Sequence, residues 1–567
     1  MAFKPLPIGV DDFGKLIEEG YYYVDKTLFI KELLDMRGEV NLFTRPRRFG
    51  KTLTMSMLHY FFEDTSDQPG NRERGKLFSG LKILEAGQVY REWMGSRPVI
   101  SLSLKSGKQP DFKTARESLI GEIRKEYNRH DGVKSGDRLL ENEKQRYRAI
   151  QEGTADEAQY RTSLEFLSSC LNKWYGKKAI ILIDEYDVPL ENAWMRGFYG
   201  EMVDFLRSLF ESALKSNGSL EFAVLTGCLR ISRESIFTRL NNLKVISILS
   251  DAYGEHFGFL EEELETMLAF YGLEHWGGRL REWYDGYLFG NARVYNPWSV
   301  INCVDAAAVN PEAFPAPYWN NTSSNAIVKD LIERADAGVK REIEELLEGK
   351  TIEKPVHEDI TYEDIYASED NLWNFLFFTG YLKKVSMRMS DDSRYIKMAI
   401  PNREVRYIYT HTIRSWFQDA IKTRDLSELY QSLFTGDAEG TERELGRLLM
   451  ESISYMDSRE AFYHGFVLGV LGNLKEYLVT SNREAGAGRY DIAVRHPDVS
   501  RTPVILELKV SDTYRGMEDA CREALKQISD RHYNDWLPEE GYSEVLDYGI
   551  AFFKKQCRVK VRRVKFG

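Results

Sequence analysis

The sequence predicts an α/β protein of several domains, on three observations. The chain has 567 residues, which is roughly three or four times the length of a typical domain. Hydrophobic residues make up 43% of it, enough to build sizeable cores and to exclude a largely disordered chain. In the first part of the chain, short apolar segments alternate with helix-like stretches, a pattern typical of a parallel sheet covered by helices.

Three regions follow one another along the chain. In the first, residues 1–255, strands are predicted at 40–44, 98–104, 179–183, 221–226 and 244–249. Residues 256–405 combine helical stretches with aromatic-rich turns, WYDGYLFG (283–290) and VYNPWSV (294–300), and we interpret them as a lid or connecting region. The third region, residues 406–567, has its core at about 458–567. There the predicted order is helix, strand, strand, helix, strand and strand, at 458–477, 489–495, 503–510, 515–530, 545–553 and 557–565.

The charge balance bears on nucleic-acid binding, although net charge alone excludes no partner. Acidic residues outnumber basic ones by 88 to 77, and the resulting formal charge of −11 argues against a uniformly cationic coat. A local basic face is nevertheless predicted on the last strand, where Arg558, Lys560 and Arg562 alternate with Val559 and Val561.

A cytoplasmic protein is expected from the beginning of the chain and from its cysteines. The first residues, MAFKPLPIGVDDFG, contain no basic segment followed by an apolar run, and about 18 consecutive apolar residues occur nowhere. We therefore expect neither secretion nor a membrane span. The five cysteines form neither a disulfide framework nor a CxxC metal pair, since they lie far apart at Cys170, Cys228, Cys303, Cys521 and Cys557.

The first candidate site lies between a strand and a helix. The strand VNLFT runs into RPRRFGKT (45–52), and an apolar helical pattern follows. Gly50, Lys51 and Thr52 would supply backbone N–H groups, an ammonium and a Mg²⁺-binding hydroxyl to a nucleotide phosphate, and Arg48 is assigned to the same site. Arg45 stands where the GxxxxGK[ST] pattern has glycine. The alternative is that Gly50 merely begins a helix and that Lys51 is solvated.

Two further segments strengthen the nucleotide interpretation. The run AIILIDEYD (179–187) predicts a buried strand that delivers Asp184 to Mg²⁺ and Glu185 to the attacking water. The next strand ends at Thr226, where a polar sensor of the γ-phosphate is expected. Arg230, Arg233 and Arg239 follow; Arg230 is assigned to the nucleotide, although three arginines on a polar helix also suit a solvated face. Together the segments predict an ATPase site.

A second candidate site lies late in the chain. EAGAGRYDIAV (484–494) places Asp491 on a strand after a Gly-rich turn, and VILELKV (504–510) places Glu507 and Lys509 on the next strand. Because side chains alternate along a strand, Glu507 and Lys509 share one face, opposite Leu506, Leu508 and Val510. The two carboxylates and the Leu508 carbonyl suit Mg²⁺, and Lys509 suits the activation of a water that attacks a phosphodiester. Gln527 and Tyr533, on and after the following helix, are expected near the metal edge. The alternative is an amphipathic strand without chemistry.

The ordered segments resemble a bacterial family of predicted AAA-ATPase-like proteins with a C-terminal PD-(D/E)XK nuclease domain. The resemblance covers nearly the whole chain and rests on residues 5–27, RPRRFGKT, ILIDEYD, TGCLRISRESIFTRLNNL, WYDGYLFG, YNPWSV, IPNREV, SNREAGAGRYD and LELKV. It implies a P-loop NTPase sheet, a helical or winged lid-like middle region and a restriction-endonuclease-like α/β domain. Arg45 in place of glycine matches the family's own form of the loop.

The resemblance also implies ligands and site residues. ATP and Mg²⁺ would bind at Lys51, Thr52, Asp184 and Glu185, and Mg²⁺ or Mn²⁺ would support nucleic-acid cleavage at Asp491, Glu507 and Lys509. By analogy, Tyr23, Asp25 and Lys26 are placed near the nucleotide. Many nucleases of this superfamily carry a further glutamate on the first helix. Here the candidates are Glu460, Glu476 and Glu484, and His464 lies on the apolar stretch of that helix.

The leading functional hypothesis is an ATP-regulated nuclease that acts on DNA or RNA, with a homo-oligomer left open. A second hypothesis is a nucleotide-switched module that binds nucleic acid without cutting it, which the intact Asp491, Glu507 and Lys509 disfavour. A third is an ATP-dependent remodeller of protein partners. Incubation with DNA and RNA, with and without Mg²⁺ or Mn²⁺, separates the three.

Overall fold

The computed structural model describes most of residues 4–566 as two compact units. The ranges outside the description are 66–73, 231–235, 238–239, 311, 322–329, 331–336, 359–360, 363–364, 366–367, 391–392, 411–424, 451–459, 473, 475, 482–483 and 486–487. The first unit comprises Met1–Thr322 and Thr351–Tyr407, and the second comprises Ser323–Lys350 and Ile408–Gly567.

The first unit is built on a parallel sheet of five strands. These are β1 (Val40–Thr44), β2 (Val99–Ser103), β3 (Ala179–Asp184), β4 (Leu220–Gly227) and β5 (Leu243–Ile246). They are ordered β2, β3, β4, β1, β5, and every neighbouring pair is parallel. Every residue of β1 and β3 is buried, as expected for strands that helices cover on both faces. The predicted α/β class and its five strands are confirmed.

Helices connect these strands. They are α1 (Phe13–Glu18), α2 (Leu28–Met36), α3 (Lys51–Phe62), α4 (Gln88–Arg91), α5 (Phe112–Arg129), α6 (Glu141–Glu152), α7 (Glu157–Arg161), α8 (Ser163–Tyr175), α9 (Val188–Arg196) and α10 (Tyr199–Leu214). The order places β4 between β1 and β3. The loops after these three strands therefore lie side by side at the carboxyl edge of the sheet, where ligands bind in open α/β folds.

The middle of the chain adds helices and antiparallel strands to the first unit. The helices are α11 (Glu261–Tyr271), α12 (Gly277–Tyr284), α13 (Pro297–Val309) and, further along, α15 (Glu369–Phe378). The strands β6 (Tyr287–Phe289) and β7 (Ala292–Val294) form a hairpin, whereas β8 (Ile352–Pro355), β9 (Lys383–Ser390) and β10 (Ser393–Ala399) form a sheet in the order β8, β10, β9. Residues 256–322 and 351–405 thus share a compact unit with the parallel sheet. The division into three domains stays a prediction.

The second unit is a mixed sheet with helices on both faces. Its helices are α14 (Ala337–Leu347), α16 (Ser427–Thr435), α17 (Ala438–Met450), α18 (Glu460–Leu471) and α19 (Met517–Asp530). A sheet in the order β11, β14, β15, β16, β17 joins β11 (Leu478–Ser481), β14 (Ile492–Arg495), β15 (Val504–Val510), β16 (Glu544–Phe553) and β17 (Gln556–Lys565). Only β15 and β16 are parallel. A separate short hairpin pairs β12 (Glu484–Ala485) with β13 (Gly488–Arg489). The six predicted elements of this region are present in the predicted order, but β11, β12 and β13 were not predicted, and α18 ends at Leu471 and not at residue 477.

Side-chain alternation on β15 separates two cores of the second unit. Leu506 and Leu508 pack with residues of α16, α17 and α18, whereas Ile505 packs with Ile528 of α19 and with Tyr533. Within the part of the chain that the structure describes, no helix is long and apolar enough to cross a membrane. All five cysteines are described, buried and free.

Candidate active sites

The phosphate-type loop connects β1 to α3 and contains two left-handed residues. Gly50 caps α3 at φ 82°, a conformation that glycine adopts without steric cost, and Arg48 lies at φ 70°. Lys51 opens the helix and is 7% exposed. Its Nζ donates to the carbonyl oxygens of Arg45 and Pro46, each at 2.9 Å. The alternative of a solvated Lys51 is therefore wrong.

Arg45, which replaces the first glycine of the pattern, belongs to the core. The residue is fully buried, and its Nη1 donates to the carbonyl oxygens of Thr44 at 2.9 Å and Ile246 at 3.0 Å. The guanidinium carbon lies 5.0 Å from the ring centre of Phe257 and 5.1 Å from that of Phe289. Burial lowers the pKa of this guanidinium, and the nearby Glu32 carboxylate opposes the shift. Arg45 thus anchors the start of the loop between β5 and the middle region.

The carboxylates stand at the neighbouring strand ends. Thr226 at the end of β4 donates its hydroxyl hydrogen to Oδ1 of Asp184 at the end of β3, because β4 lies beside β3. Asp184 is 4% exposed, and its Oδ2 is buried without a hydrogen-bond partner among the described residues. A buried, unsatisfied carboxylate oxygen is costly, and a hard cation would satisfy it. Thr52, in the first turn of α3, is half-buried. The donor set therefore fits Mg²⁺.

Glu185 follows in a left-handed conformation, at φ 54°. Burial and the Asp184 charge raise the pKa of its carboxyl group, whereas Lys51 and Lys105 oppose the shift. A non-glycine residue with positive φ is uncommon and often marks a functional position.

Two acids at this edge were not predicted as site residues. Asp187 accepts the backbone N–H groups of Cys228 at 2.7 Å and Leu229 at 3.2 Å, and so fixes the loop after β4. Glu191 of α9 forms an ion pair with Arg47 of the phosphate-type loop. Asp187 could have been found from the sequence, because it ends the ILIDEYD segment that already indicated a site. Glu191 could not, because its partner Arg47 lies 144 positions away in sequence. Arg230 follows this loop half-buried, and Arg233 and Arg239 lie outside the described residues.

The three residues placed near the nucleotide by analogy make structural contacts. Lys26 pairs with Glu263 of α11 at 2.6 Å, and Tyr23 donates to the sulfur of Met57 at 3.6 Å. Asp25 accepts the backbone N–H of Thr27 at 2.9 Å. The contacts of Lys26 and Tyr23 thus hold residues 23–26 against α11 and α3 of the first unit.

The aromatic segments of the middle region pack directly on the phosphate-type loop. The ring of Phe49 lies 4.9 Å from that of Tyr287 and 5.1 Å from that of Phe289, both on β6. The guanidinium carbon of Arg48 lies 4.1 Å from the centre of the Trp298 ring on α13. The WYDGYLFG segment thus contacts Phe49, and the YNPWSV segment contacts the preceding loop residue, Arg48.

In the second unit, Asp491 lies immediately before β14, and its side chain extends the hydrogen bonding between β14 and β15. Pairing of β14 with β15 begins at Ile492, opposite Leu506. One residue earlier, Oδ2 of Asp491 accepts the backbone N–H of Leu508 at 2.8 Å. The imidazole Nε2 of His464 lies 3.1 Å from the Asp491 carbonyl oxygen. These contacts hold the Asp491 carboxylate beside β15.

Glu507, Lys509 and Gln527 form one hydrogen-bonded cluster. Lys509 Nζ lies 3.3 Å from Oε1 of Glu507 and donates to Oε1 of Gln527 at 2.7 Å. The Gln527 amide donates to Glu507 and, at 3.3 Å, to the Tyr533 hydroxyl. Burial and the Asp491 charge raise the pKa of Glu507 to about 7, against the opposing effect of Lys509. The structure thus brings these predicted residues together.

The second cluster also leaves an oxygen available to a cation. Oε2 of Glu507 is buried and has no hydrogen-bond partner in the part of the chain that is described. Asp491 and Glu507 are hard oxygen ligands and fit Mg²⁺ or Mn²⁺. Among the described residues, no cluster holds three or more His, Cys, Asp and Glu side chains. Two carboxylates, the Leu508 carbonyl and external oxygens would therefore make up the coordination.

The structure bears on two further sequence expectations about this unit, and it corrects the second of them. The further acid stays a prediction: Glu476 is exposed and lies 4.0 Å from His496 and 3.7 Å from Arg501, and the side chains of Glu460 and Glu484 lie outside the description. The basic face of β17 is neutralised, since each cation meets an acid from another element: Arg558 with Glu442 at 2.7 Å, Lys560 with Glu518 at 2.5 Å and Arg562 with Asp547 at 2.7 Å.

Comparison with known proteins agrees with the two predicted types of domain. Residues 7–237 match the family model described as predicted AAA-ATPase, and residues 458–562 match that of the PD-(D/E)XK nuclease superfamily. A protein of Azotobacter chroococcum mcd 1, described as an uncharacterized protein in the vnfD 5' region, is 27% identical over 550 residues, covering 94% of each chain. The chain therefore carries an AAA-ATPase-like domain followed by a C-terminal domain of the PD-(D/E)XK nuclease superfamily.

Proposed function

We propose that the protein binds and hydrolyses ATP in its first unit and cleaves DNA or RNA phosphodiesters with Mg²⁺ in its second. One observation supports both halves. Asp184 and Glu507 each keep a buried carboxylate oxygen without a hydrogen-bond partner among the residues described. Native proteins rarely leave such oxygens unsatisfied, and a divalent cation at each site would satisfy them.

At the ATPase site, each residue has one task. Lys51 would exchange its two loop carbonyls for phosphate oxygens, and Arg48, Gly50, Thr226 and Arg230 would contact the nucleotide. Thr52 and Asp184 would hold Mg²⁺, which neutralises phosphate charge when bound. Glu185, whose pKa is raised by burial and by Asp184, is suited to orient the attacking water and to attract its proton.

At the nuclease site, Asp491 and Glu507 would hold the cation, which activates water and stabilises charge on the phosphate when bound. Lys509 would orient that water and stabilise the negative charge that develops during attack. Gln527 accepts from Lys509 at 2.7 Å and thereby aims the ammonium. Its second contact, to Tyr533, keeps the amide in one orientation.

The ATPase assignment is tested with two variants. Lys51→Ala should lose nucleotide binding, because no other group supplies its ammonium at the opening of α3. Glu185→Gln should keep ATP binding and lose turnover, because Asp184 and Thr52 are unchanged. Binding is measured by titration with a fluorescent ATP analogue, and turnover by phosphate release. Equal turnover in Glu185→Gln and the wild type would refute the assignment.

The nuclease assignment is tested by cleavage of single- and double-stranded DNA and of RNA. Cleavage should require Mg²⁺ or Mn²⁺, stop with chelator and be abolished in Asp491→Asn and in Lys509→Ala. Cleavage that survives in both variants would point to contamination or to another site. Binding of nucleic acid without cleavage by the wild type would favour a nucleotide-switched binding module, and ATP turnover without nucleic-acid binding would favour a protein remodeller.

A further inference from the structure

Arg48 is held at the ATPase site by an aromatic ring of the middle region. Its guanidinium carbon lies 4.1 Å from the centre of the Trp298 ring, and the Arg48 backbone is left-handed at φ 70°. Trp298 is itself fixed, because its Nε1 donates to the Tyr318 carbonyl at 3.3 Å and its backbone N–H donates to Asn296 at 3.0 Å. The stacking therefore sets the position of a cation in the loop.

Arg48 differs from the other two arginines of the loop in having its N–H groups available. Arg45 is buried in the core, and Arg47 is neutralised by Glu191. Arg48 is exposed and makes neither a hydrogen bond nor an ion pair with the residues that the structure describes. Burial and the neighbouring Arg47 charge lower its pKa, whereas Glu185 raises it. A guanidinium stays charged under all ordinary conditions, so Arg48 is a permanent cation in the loop, stacked on Trp298 and without a carboxylate partner among the described residues.

We propose that Arg48 is a catalytic arginine supplied in cis, which stabilises the γ-phosphoryl group of ATP during hydrolysis. The proposal rests on the ATPase function proposed above. In that reaction the water oxygen forms a bond to the γ-phosphorus, the bond from this phosphorus to the bridging oxygen of ADP breaks, and the water proton is released. The charge that spreads over the γ-oxygens would be met by the free N–H groups of Arg48, in the fork geometry that suits phosphate.

Trp298 is a positioning residue in this scheme, because it acts through Arg48. The guanidinium gains attraction from the ring while its edge, where the N–H groups lie, stays open to a ligand. A subunit that carries its own arginine does not need a neighbouring copy to complete the site. The proposal therefore predicts hydrolysis whose rate per molecule is independent of protein concentration.

The test removes the guanidinium while keeping the loop. Arg48→Gly suits a left-handed backbone, whereas Arg48→Ala would add strain at φ 70°. We expect Arg48→Gly to lower kcat on the order of 10³-fold, the size of known arginine effects, and to leave ADP affinity within about threefold. Binding of ADP with aluminium fluoride, which mimics the transferring phosphoryl group, should be lost. Trp298→Ala should lower kcat less than Arg48→Gly does, and Trp298→Phe should restore most of the rate.

Two controls separate this role from a structural one. Arg148→Ala removes an exposed arginine of α6 and should change neither rate nor affinity. In mixtures of Arg48→Gly with Glu185→Gln, a cis arginine predicts no recovery, because neither copy holds a complete site. Recovery in the mixture would show that Arg48 acts in trans, and an unchanged kcat in Arg48→Gly would show that it is not catalytic. If the wild type neither binds nor hydrolyses ATP, both the ATPase proposal and the role of Arg48 are refuted. If the wild type is active and Arg48→Gly is equally active, only the role of Arg48 is refuted.

Discussion

Glu507 is a carboxyl group that the fold holds in an unfavourable environment. It is 2% exposed, and burial together with the Asp491 charge raises its pKa from 4.5 to about 7. Between these two values the folded protein holds a proton that the unfolded chain has lost. The free energy of unfolding therefore falls as pH rises through this window, and the full penalty is present above about pH 7.

The substitution Glu507→Gln removes this penalty. In chelator at pH 8, we expect the variant to be more stable than the wild type by about 1–3 kcal/mol, because no buried charge remains. At pH 4 the two proteins should differ little, since the wild-type carboxyl is then mostly protonated in both states. Chemical denaturation at both pH values measures the difference, and an equal difference at the two values would contradict the role of the charge. Mg²⁺ should stabilise only the wild type.

Sequence patterns could identify the individual acids and lysines of both sites, with Gln527 and Tyr533 near the second, but not the partners that approach from elsewhere in the fold. Asp184 and Asp491 stand out because each adjoins an apolar strand, and strand alternation relates Glu507 to Lys509. Glu191 gave no such signal, because its partner Arg47 is distant in sequence and meets it only in the fold. The neutral face of β17 was missed for the same reason: Glu442 and Glu518 approach from α17 and α19.

The contact between α19 and β16 depends on one glycine. Gly549 on β16 is the register partner of Glu507 on β15. A Cβ at this position would overlap the carbonyl oxygen of Cys521 and lie 3.1 Å from the Ala524 Cβ. The missing side chain lets α19 lie close to the sheet, and this closeness brings Gln527 to Glu507.

The substitution Gly549→Ala should therefore separate α19 from the sheet. We expect a loss of stability of about 1–3 kcal/mol and a marked fall in the cleavage rate, because overpacking moves Gln527. The matched control is Gly446→Ala on α17, where an added Cβ meets no atom within 4 Å. That control should gain about 0.5–1 kcal/mol, as expected for alanine inside a helix, and should cleave normally. Equal effects of both variants on cleavage would contradict the packing argument.

Arg45 also holds separate elements together, because its side chain connects β1 and β5 to the middle region. The substitution Arg45→Gly restores the glycine of the common loop pattern, yet we expect it to destabilise the first unit by about 2–4 kcal/mol and to weaken ATP binding. The fully buried side chain loses its bonds to Thr44 and Ile246 and its stacking on Phe257 and Phe289. Thermal unfolding and nucleotide titration measure both effects, with Arg148→Ala as the control. Tighter ATP binding in Arg45→Gly would contradict the anchoring role.

Most elements could be predicted, whereas their arrangement in the sheets could not. Strands such as 179–183 are short apolar runs followed by polar residues, and this pattern is visible in the local sequence. The insertion of β4 between β1 and β3, which places Thr226 beside Asp184, results from packing between distant segments. The placement of Phe49 against β6 is likewise a long-range contact that no periodicity encodes.

Each of the two compact units contains one candidate site. The nuclease variant Asp491→Asn should therefore leave ATP turnover within about twofold of the wild type, since it changes no residue of the unit that contains the ATPase site. Phosphate release by this variant measures it. A large fall in turnover would show that cleavage and hydrolysis share a step.

We further predict that the nucleotide state changes the cleavage rate at least about fivefold, the lower end of usual allosteric couplings. Loop residues Arg48 and Phe49 contact Trp298, Tyr287 and Phe289, so a bound γ-phosphate can bias the middle region. Cleavage by the wild type and Glu185→Gln is compared without nucleotide and with ADP, ATP or a non-hydrolysable analogue, at fixed free Mg²⁺. Identical rates in a preparation that binds ATP would show that the two activities are merely tethered.

The resting contacts of Lys51 have a consequence for how tightly any ligand can bind there. Its ammonium is already out of water and already holds two carbonyl oxygens at 2.9 Å. An incoming phosphate therefore meets a dehydrated cation, but it must displace acceptors that belong to the protein itself. Affinity at this loop is thus the outcome of a competition between the backbone and the ligand for the same three hydrogens. Selectivity follows, because only an acceptor that carries more negative charge than a peptide carbonyl wins the exchange.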